Sequence, residues 1–176
     1  MDVTGASDPA HGAATLGAND TVRYVSDARY TGPDSFTYTV SDPDGATDTA
    51  TVNVTVSDTK APTVVKALPT GKNVSPTANV TALFSEPMAA GTLFGAAAGE
   101  SATFVLKKGT VKVPATVSYN PGTLTAVLDP DARLRRGSTY TATVTTGAKD
   151  EAGTPLDQDP NTAGNQGKVW SFKIKP

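Results

Sequence analysis

Within the segment 34–42 apolar and polar residues alternate: Phe36, Tyr38 and Val40 take turns with Thr37, Thr39 and Ser41. Side chains change face at each residue of an extended strand, so this order gives one oily and one wet face, and no helix can sort it that way. Segment 49–57 repeats the arrangement, with Ala50, Val52, Val54 and Val56 set against Thr51, Asn53 and Thr55. Between them Pro43-Asp44-Gly45 supplies turn chemistry, so the two runs predict a hairpin. The rest of the chain is rich in Thr and Val, which lose side-chain freedom in a helix and suit a pleated surface. The predicted fold class is all-β.

Asp58-Thr59-Lys60-Ala61-Pro62 is a short polar stretch closed by a proline that holds the preceding residue extended. It divides the chain into a first module, 1–57, a linker, 58–62, and a second module, 63–176. In the second, strands are predicted at 63–68, 77–84, 102–107, 112–119, 123–128, 139–145 and 168–175, with one helical turn in 87–95 and a long polar loop over 157–167. Short strands at this spacing indicate a two-sheet sandwich. Val80, Ala82 and Phe84 share one face, as do Trp170, Phe172 and Ile174, and these are the predicted core.

Fifteen basic and seventeen acidic side chains leave a net charge of -2, and no segment gathers Lys or Arg as a phosphate-binding surface requires. Nucleic acid is therefore not an expected partner. No apolar run reaches the length of a membrane span, and the first residues have neither a basic nor an apolar leader region, so neither insertion nor an export signal is expected. Cysteine is absent, which removes disulfides, thiolate nucleophiles and zinc–thiolate sites together.

Two family resemblances cover nearly the whole chain. Tyr24, the run from Tyr30 through Gly32-Pro33-Asp34-Ser35-Phe36 to Asp42, and the Val52, Val54, Val56 strand resemble the end of a bacterial cadherin-like or tandem Ig-like repeat. Ala61-Pro62, Phe84-Ser85-Glu86-Pro87-Met88, Leu134, Tyr140, Lys149-Asp150-Glu151-Ala152-Gly153 and Trp170-Ser171-Phe172 are similar to the Ig-like domain of bacterial S-layer proteins. The resemblance implies tandem Ig-like β-sandwiches on a bacterial cell surface or in the extracellular medium, the first of them starting inside its repeat. An incomplete module of this size is expected to be marginal, and its unpaired strand edges favour association with another copy or with a neighbouring module.

Catalytic chemistry has little to work with. His11 is the one histidine, and in the repeat family a His-Gly pair at this place belongs to a turn before a strand. Without a matched nucleophile it makes no triad. Asp129 and Asp131 flank Pro130 and read as the end of a strand more readily than as an acid–base pair. Leu134 followed by Tyr140 looks like a tyrosine corner, and the alternation of Trp170 with Phe172 and Ile174 turns the indole inward. Asp157-Gln158-Asp159-Pro160-Asn161 lacks an EF-hand's glycine and glutamate, since Thr162 and Lys168 stand at those places.

Calcium is the cofactor that the residues make worth testing, because a hard cation takes clustered carboxylates and carbonyls. Asp42, Asp44 and Asp48 around Gly45 are open to two readings, an ordinary hairpin turn or part of a calcium loop facing an upstream module. If the second module runs in Ig order, the loop carrying Glu86 and the loop carrying Asp150 lie at the end where Asp58 enters, and these acids either converge on a metal or serve as surface charge. The expected role is a non-enzymatic structural or adhesive segment of a surface or secreted multidomain protein, with calcium at domain junctions. Its expected partners are neighbouring Ig-like modules of the same polypeptide and a cell-surface glycan or protein. The alternative is a carbohydrate- or protein-binding accessory module of a secreted enzyme, using the 157–167 loop or the 88–99 segment, with Phe94 and Tyr30 the candidate exposed aromatics.

Overall fold

A computed structural model of the chain describes residues 1–28, 30–94 and 102–176. The chain divides into two compact units, Met1–Asp58 and Thr59–Pro176.

The first unit holds β1 (Asp2–Ala6), β2 (Gly12–Leu16), β3 (Val22–Ser26), β4 (Gly32–Ser41) and β5 (Thr47–Val56). Strands β1, β4 and β5 form one sheet in that order, and β2 and β3 form a separate hairpin. Along β4 and β5, Phe36 faces Val52 and Tyr38 faces Ala50, so the alternating apolar residues of both strands share one side. Ala14 from the hairpin and Phe36 from the sheet are buried, and Tyr24 stacks on Phe36 with ring centroids 6.1 Å apart. The turn between β4 and β5 is closed by bonds from the Gly45 amide to the Asp42 carbonyl (3.1 Å) and from the Ala46 amide to Asp42 Oδ1 (2.8 Å). Gly45 takes φ 87° there, a conformation that a Cβ makes costly.

The second unit contains β6 (Val64–Leu68), β7 (Gly71–Val74), β8 (Val80–Phe84), α1 (Ala90–Phe94), β9 (Phe104–Lys108), β10 (Val111–Lys112), β11 (Ala115–Asn120), β12 (Thr125–Pro130), β13 (Thr139–Val144) and β14 (Lys168–Ile174). One sheet has the order β10-β9-β13-β14-β7 and the other β11-β12-β8-β6. Their facing sides carry the core: Val80, Ala82 and Phe84 from β8, Leu106 from β9, Leu128 from β12, Ala142 and Val144 from β13, and Trp170, Phe172 and Ile174 from β14. Each large side chain removed from water in this way contributes about 1.5–3 kcal/mol.

Two strand expectations need correction. The segment 112–119 is not one strand: Val113 and Pro114 interrupt it, β10 pairing with β9 in one sheet and β11 with β12 in the other. Proline has no N–H for the ladder, so the chain changes sheets where the pairing has to lapse. Strand β7 lies where none was expected, pairing parallel with β14. Its sequence, Gly-Lys-Asn-Val, offers one half-buried apolar residue and no alternation. The helical turn expected in 87–95 is α1, held by buried Leu93, and the residues after Phe94 up to 101 lie outside the described ones. No helix among the described residues is long and apolar enough to cross a membrane.

Candidate functional site

The loop after β13 is shaped by Asp150. Its amide donates to the Thr154 carbonyl (3.0 Å), its carbonyl accepts from the Gly153 amide (3.2 Å), and its Oδ1 accepts from the Thr154 amide (2.7 Å). Gly153 supplies the φ of 89° that closes this turn. The same three bonds recur around Asp42 and Ala46 in the first unit. The two turns differ in their surroundings. Asp150 is 3% exposed, and its Oδ2 is buried with no hydrogen-bond partner.

Glu86 is brought to the same place by the end of β8. The Ser85 amide donates to the Thr63 carbonyl (3.0 Å), Ser85 Oγ accepts from the Thr63 amide (3.0 Å), and that hydroxyl also donates to Glu86 Oε1 (3.2 Å). Two residues on, the Met88 amide donates to the Tyr119 hydroxyl (3.0 Å), and Met88 bridges to Asp150. Met88 is itself buried, so the loop cannot lift without exposing core. Within the second unit, carboxylate oxygens of Glu86 and Asp150 lie within 4.8 Å of one another; Asp58 is the last residue of the first unit. Among the described residues, neither unit taken by itself groups three acids, histidines or cysteines in this way.

Asp42, Asp44 and Asp48 are not brought together. Asp42 Oδ1 is bound to the Ala46 amide, Asp48 Oδ1 to the Thr49 amide (2.8 Å), and Asp44 and Asp48 are exposed. Here the local turn decides where each carboxylate goes.

A polar centre that the sequence did not suggest lies in the first unit. Asp34, 8% exposed, accepts from the amides of Ala10 (3.2 Å), His11 (3.2 Å) and Ser35 (2.9 Å), and from the Tyr24 hydroxyl (2.9 Å). The His11 ring stacks on Tyr30 with centroids 4.0 Å apart. The one histidine thus belongs to a turn tied to β4. Burial pushes the Asp34 carboxyl up, but the bonds from Ser35, Tyr24, His11 and Ala10 outweigh it and hold the group below the usual carboxylate value. Burial, together with the bond to Asp34 and its charge, pushes the Tyr24 phenol up to about 12.

These shifts fix a pH dependence for the first unit. Asp34 favours folding in its charged form, so its contribution is present above the unfolded value of about 3.9 and is lost as pH falls through the lower folded value. Tyr24 favours folding in its neutral form, so its contribution is present below about pH 10 and is lost as pH rises toward about 12. Thermal melts followed by circular dichroism should show a first-unit midpoint that declines at both ends of this range. A midpoint unchanged between about pH 5 and about pH 2 would contradict the Asp34 assignment.

Other buried polar groups likewise fasten loops. Asp157 Oδ1 accepts from the amides of Asp159 (3.1 Å) and Gln166 (3.2 Å), and the Gln158 side chain bonds both the amide and the carbonyl of Val64 (3.1 and 3.3 Å). The long loop 157–167 is therefore pinned to the start of β6. Tyr140 accepts the Arg135 amide (2.8 Å), closing the corner before β13. Trp170 is buried with its ring centroid 5.9 Å from that of Phe104.

Comparison with known proteins follows this division. Residues 58–174 match the sequence profile of a bacterial Ig-like domain, and residues 1–55 match that of a bacterial Ig domain. No curated protein sequence matches the chain. Among solved structures, the N-terminal part of the bacterial S-layer protein SbsC is similar at 18% identity and a TM-score of 0.45, over 66% of this chain and 24% of that one. A structure of SbsC domains 1–6 gives 18% identity and a TM-score of 0.45 over 66% of this chain and 14% of that one. A chimeric titin Z1Z2 carrying an exogenous peptide from decorin aligns over 94% of this chain and 72% of that one, at 10% identity and a TM-score of 0.38. The chain thus spans about a quarter of the length of the first of these S-layer structures. With its profile match extending over 58–174, more than half of its length, the chain belongs to the bacterial Ig-like domain family.

Proposed function

We propose that the chain is a non-enzymatic structural segment of a bacterial cell-surface or secreted multidomain protein, acting as a spacer or adhesive stretch between other parts. The observation that carries this reading is where several buried and half-buried polar groups are spent. Asp34, Asp157, Tyr119 and Tyr140 each accept backbone amide hydrogens and hold loops to strands. Groups committed in this way raise the resistance of each unit to local opening. In this reading calcium restrains the chain about Asp58.

Antibodies raised against the chain are expected to label intact, unpermeabilised cells or to find the protein in the culture medium. Labelling only after lysis would overturn the surface assignment. In the polypeptide that carries it, exchanging the segment for an unrelated Ig-like pair of equal length should preserve surface display. Loss of display on that exchange would point instead to a specific binding face.

A further inference from the structure

We propose that the outer face of the five-stranded sheet of the second unit, built around Lys107, Lys112 and Lys173, binds a phosphodiester-linked polymer of sugars or polyols. This deepens the proposed function and rests on it only for the compartment, the cell surface, where such a polymer lies within reach.

Charge is the first observation. The net charge of -2 divides unevenly between the units: the first has nine acids and two arginines, or -7, and the second has thirteen basic side chains and eight acids, or +5. Within the second unit the excess is again uneven. Strands β10, β9, β13, β14 and β7 hold six lysines and no acid, whereas β11, β12, β8 and β6 hold Lys66 and Asp129. No single segment of the sequence gathers these lysines; the pairing of strands distant in sequence does.

Register decides which of them share a surface. Residues directly opposite in a ladder point to the same face. Lys107 stands between Lys112 on β10 and Thr141 on β13, and Thr141 stands opposite Ser171 on β14. The neighbouring rows are Val105, Thr143 and Val169 on one side and Thr139 with Lys173 on the other. Leu106, Ala142, Trp170 and Phe172 alternate with them and are buried, so these rows look outward. Lys107, Lys112, Ser171 and Lys173 are exposed. Strand spacing sets the backbones of Lys107 and Lys112 about 5 Å apart and those of Lys107 and Lys173 about 12 Å apart.

Taken alone, this arrangement is unfavourable. Lys107 and Lys112 are like charges directly opposite each other, which destabilises a strand pair. Among the described residues no acid is ion-paired with either of them or with Lys173. A polyanion laid across the face removes the repulsion and gains by releasing counterions.

The neighbours of the lysines select the class of anion. They are hydroxyls: Thr139, Thr141, Thr143 and Ser171, with the Thr141 and Ser171 oxygens 3.0 Å apart. Such groups both donate to and accept from the hydroxyls of a sugar or polyol. The five strands carry no arginine, whose fork suits bidentate carboxylates, whereas lysine acts on phosphate as a point charge. Their aromatic residues, Phe104, Tyr140, Trp170 and Phe172, are buried, so no ring is presented for bases to stack on. Phosphates spaced by hydroxylated units fit this face better than a polyuronate or a nucleic acid does.

The test passes the purified whole chain over immobilised poly(glycerol phosphate), polygalacturonate and double-stranded DNA and reads affinity by surface plasmon resonance. Poly(glycerol phosphate) is expected to bind tightest of the three. Its affinity should fall about a hundredfold between about 0.05 M and about 0.5 M salt, as release of counterions from about three phosphates requires. Lys107→Gln, Lys112→Gln and Lys173→Gln together should weaken binding about a hundredfold, at about fivefold per lysine, with a melting midpoint no lower than the parent's. Lys107→Gln alone, expected to cost about fivefold, serves if the triple variant does not fold. Lys66→Gln with Lys149→Gln, which lie off this sheet, should bind as the parent does. Absence of binding, equal or tighter binding to polygalacturonate or DNA, or full affinity in the variants at 107, 112 and 173 overturns the proposal. None of these results alters surface labelling of cells, so this reading and the proposed function fail separately.

Discussion

Replacing Asp34 with alanine is expected to leave the first unit unfolded at room temperature. The substitution takes the acceptor from the amides of Ala10, His11 and Ser35 and from the Tyr24 hydroxyl in one step. These bonds join the turn before β2, strand β3 and the start of β4, segments up to 24 residues apart in sequence. Beside them stand the β2–β3 ladder, the bond from the Asp27 amide to the His11 carbonyl (2.9 Å) and the stacks of Tyr24 on Phe36 and of His11 on Tyr30. Among the described residues of this unit Ala14 and Phe36 are the buried hydrophobic ones, and a domain of its size buries proportionally little surface on folding. Asp34→Asn should be nearly as damaging, because an amide oxygen replaces only half of the acceptor and the NH₂ group faces other donors. Hydrogen exchange at the amides of Ala10, His11 and Ser35 is the direct measurement. Retained protection at these positions in Asp34→Ala would show that packing alone holds the unit. Trp170, the one tryptophan, lies in the second unit's core and reports on that unit independently.

The hairpin β4–β5 is legible in the sequence because one of its faces is buried, and alternation is the trace that such burial leaves. Strands β1 to β3 are not. Gly12–Leu16 buries only Ala14, and its pairing with β3 is held in place by a turn whose bonds run to Asp34. The Asp34 centre was missed for the same reason: its partners are more than twenty residues away except for Tyr24 and Ser35, and no local pattern announces them. Asp58, Glu86 and Asp150 can be nominated from sequence only as acids near one end of a sandwich. The repeated Asp-x-x-Gly-x turn, Asp42 to Ala46 and Asp150 to Thr154, is present in the letters. What no letter encodes is that Asp150 is buried, with its second oxygen unpartnered, whereas Asp42 is only half-buried. That difference depends on Met88 and the end of β8 packing over the Asp150 turn, which is tertiary.

Phe172→Ala is expected to destabilise the second unit by about 3–5 kcal/mol, a large part of the about 5–15 kcal/mol that a domain has in total. Phe172 is 1% exposed and faces Tyr140 across the β13–β14 ladder, their rings stacked at 6.0 Å. The loss has two components. One is the burial and the cavity; the other is the support that the ring gives to Tyr140, whose hydroxyl accepts the Arg135 amide at 2.8 Å. Tyr140→Phe isolates the second component, since it keeps the ring and leaves the Arg135 amide without its acceptor, at about 1–3 kcal/mol. Urea denaturation followed by Trp170 fluorescence gives all four corners of the double-mutant cycle. If the stacked ring positions the hydroxyl, Tyr140→Phe should cost less in the Phe172→Ala background than in the parent chain, a coupling of about 0.5–3 kcal/mol. Strict additivity would mean that the corner before β13 is held by its own backbone and that the aromatic pair contributes burial alone.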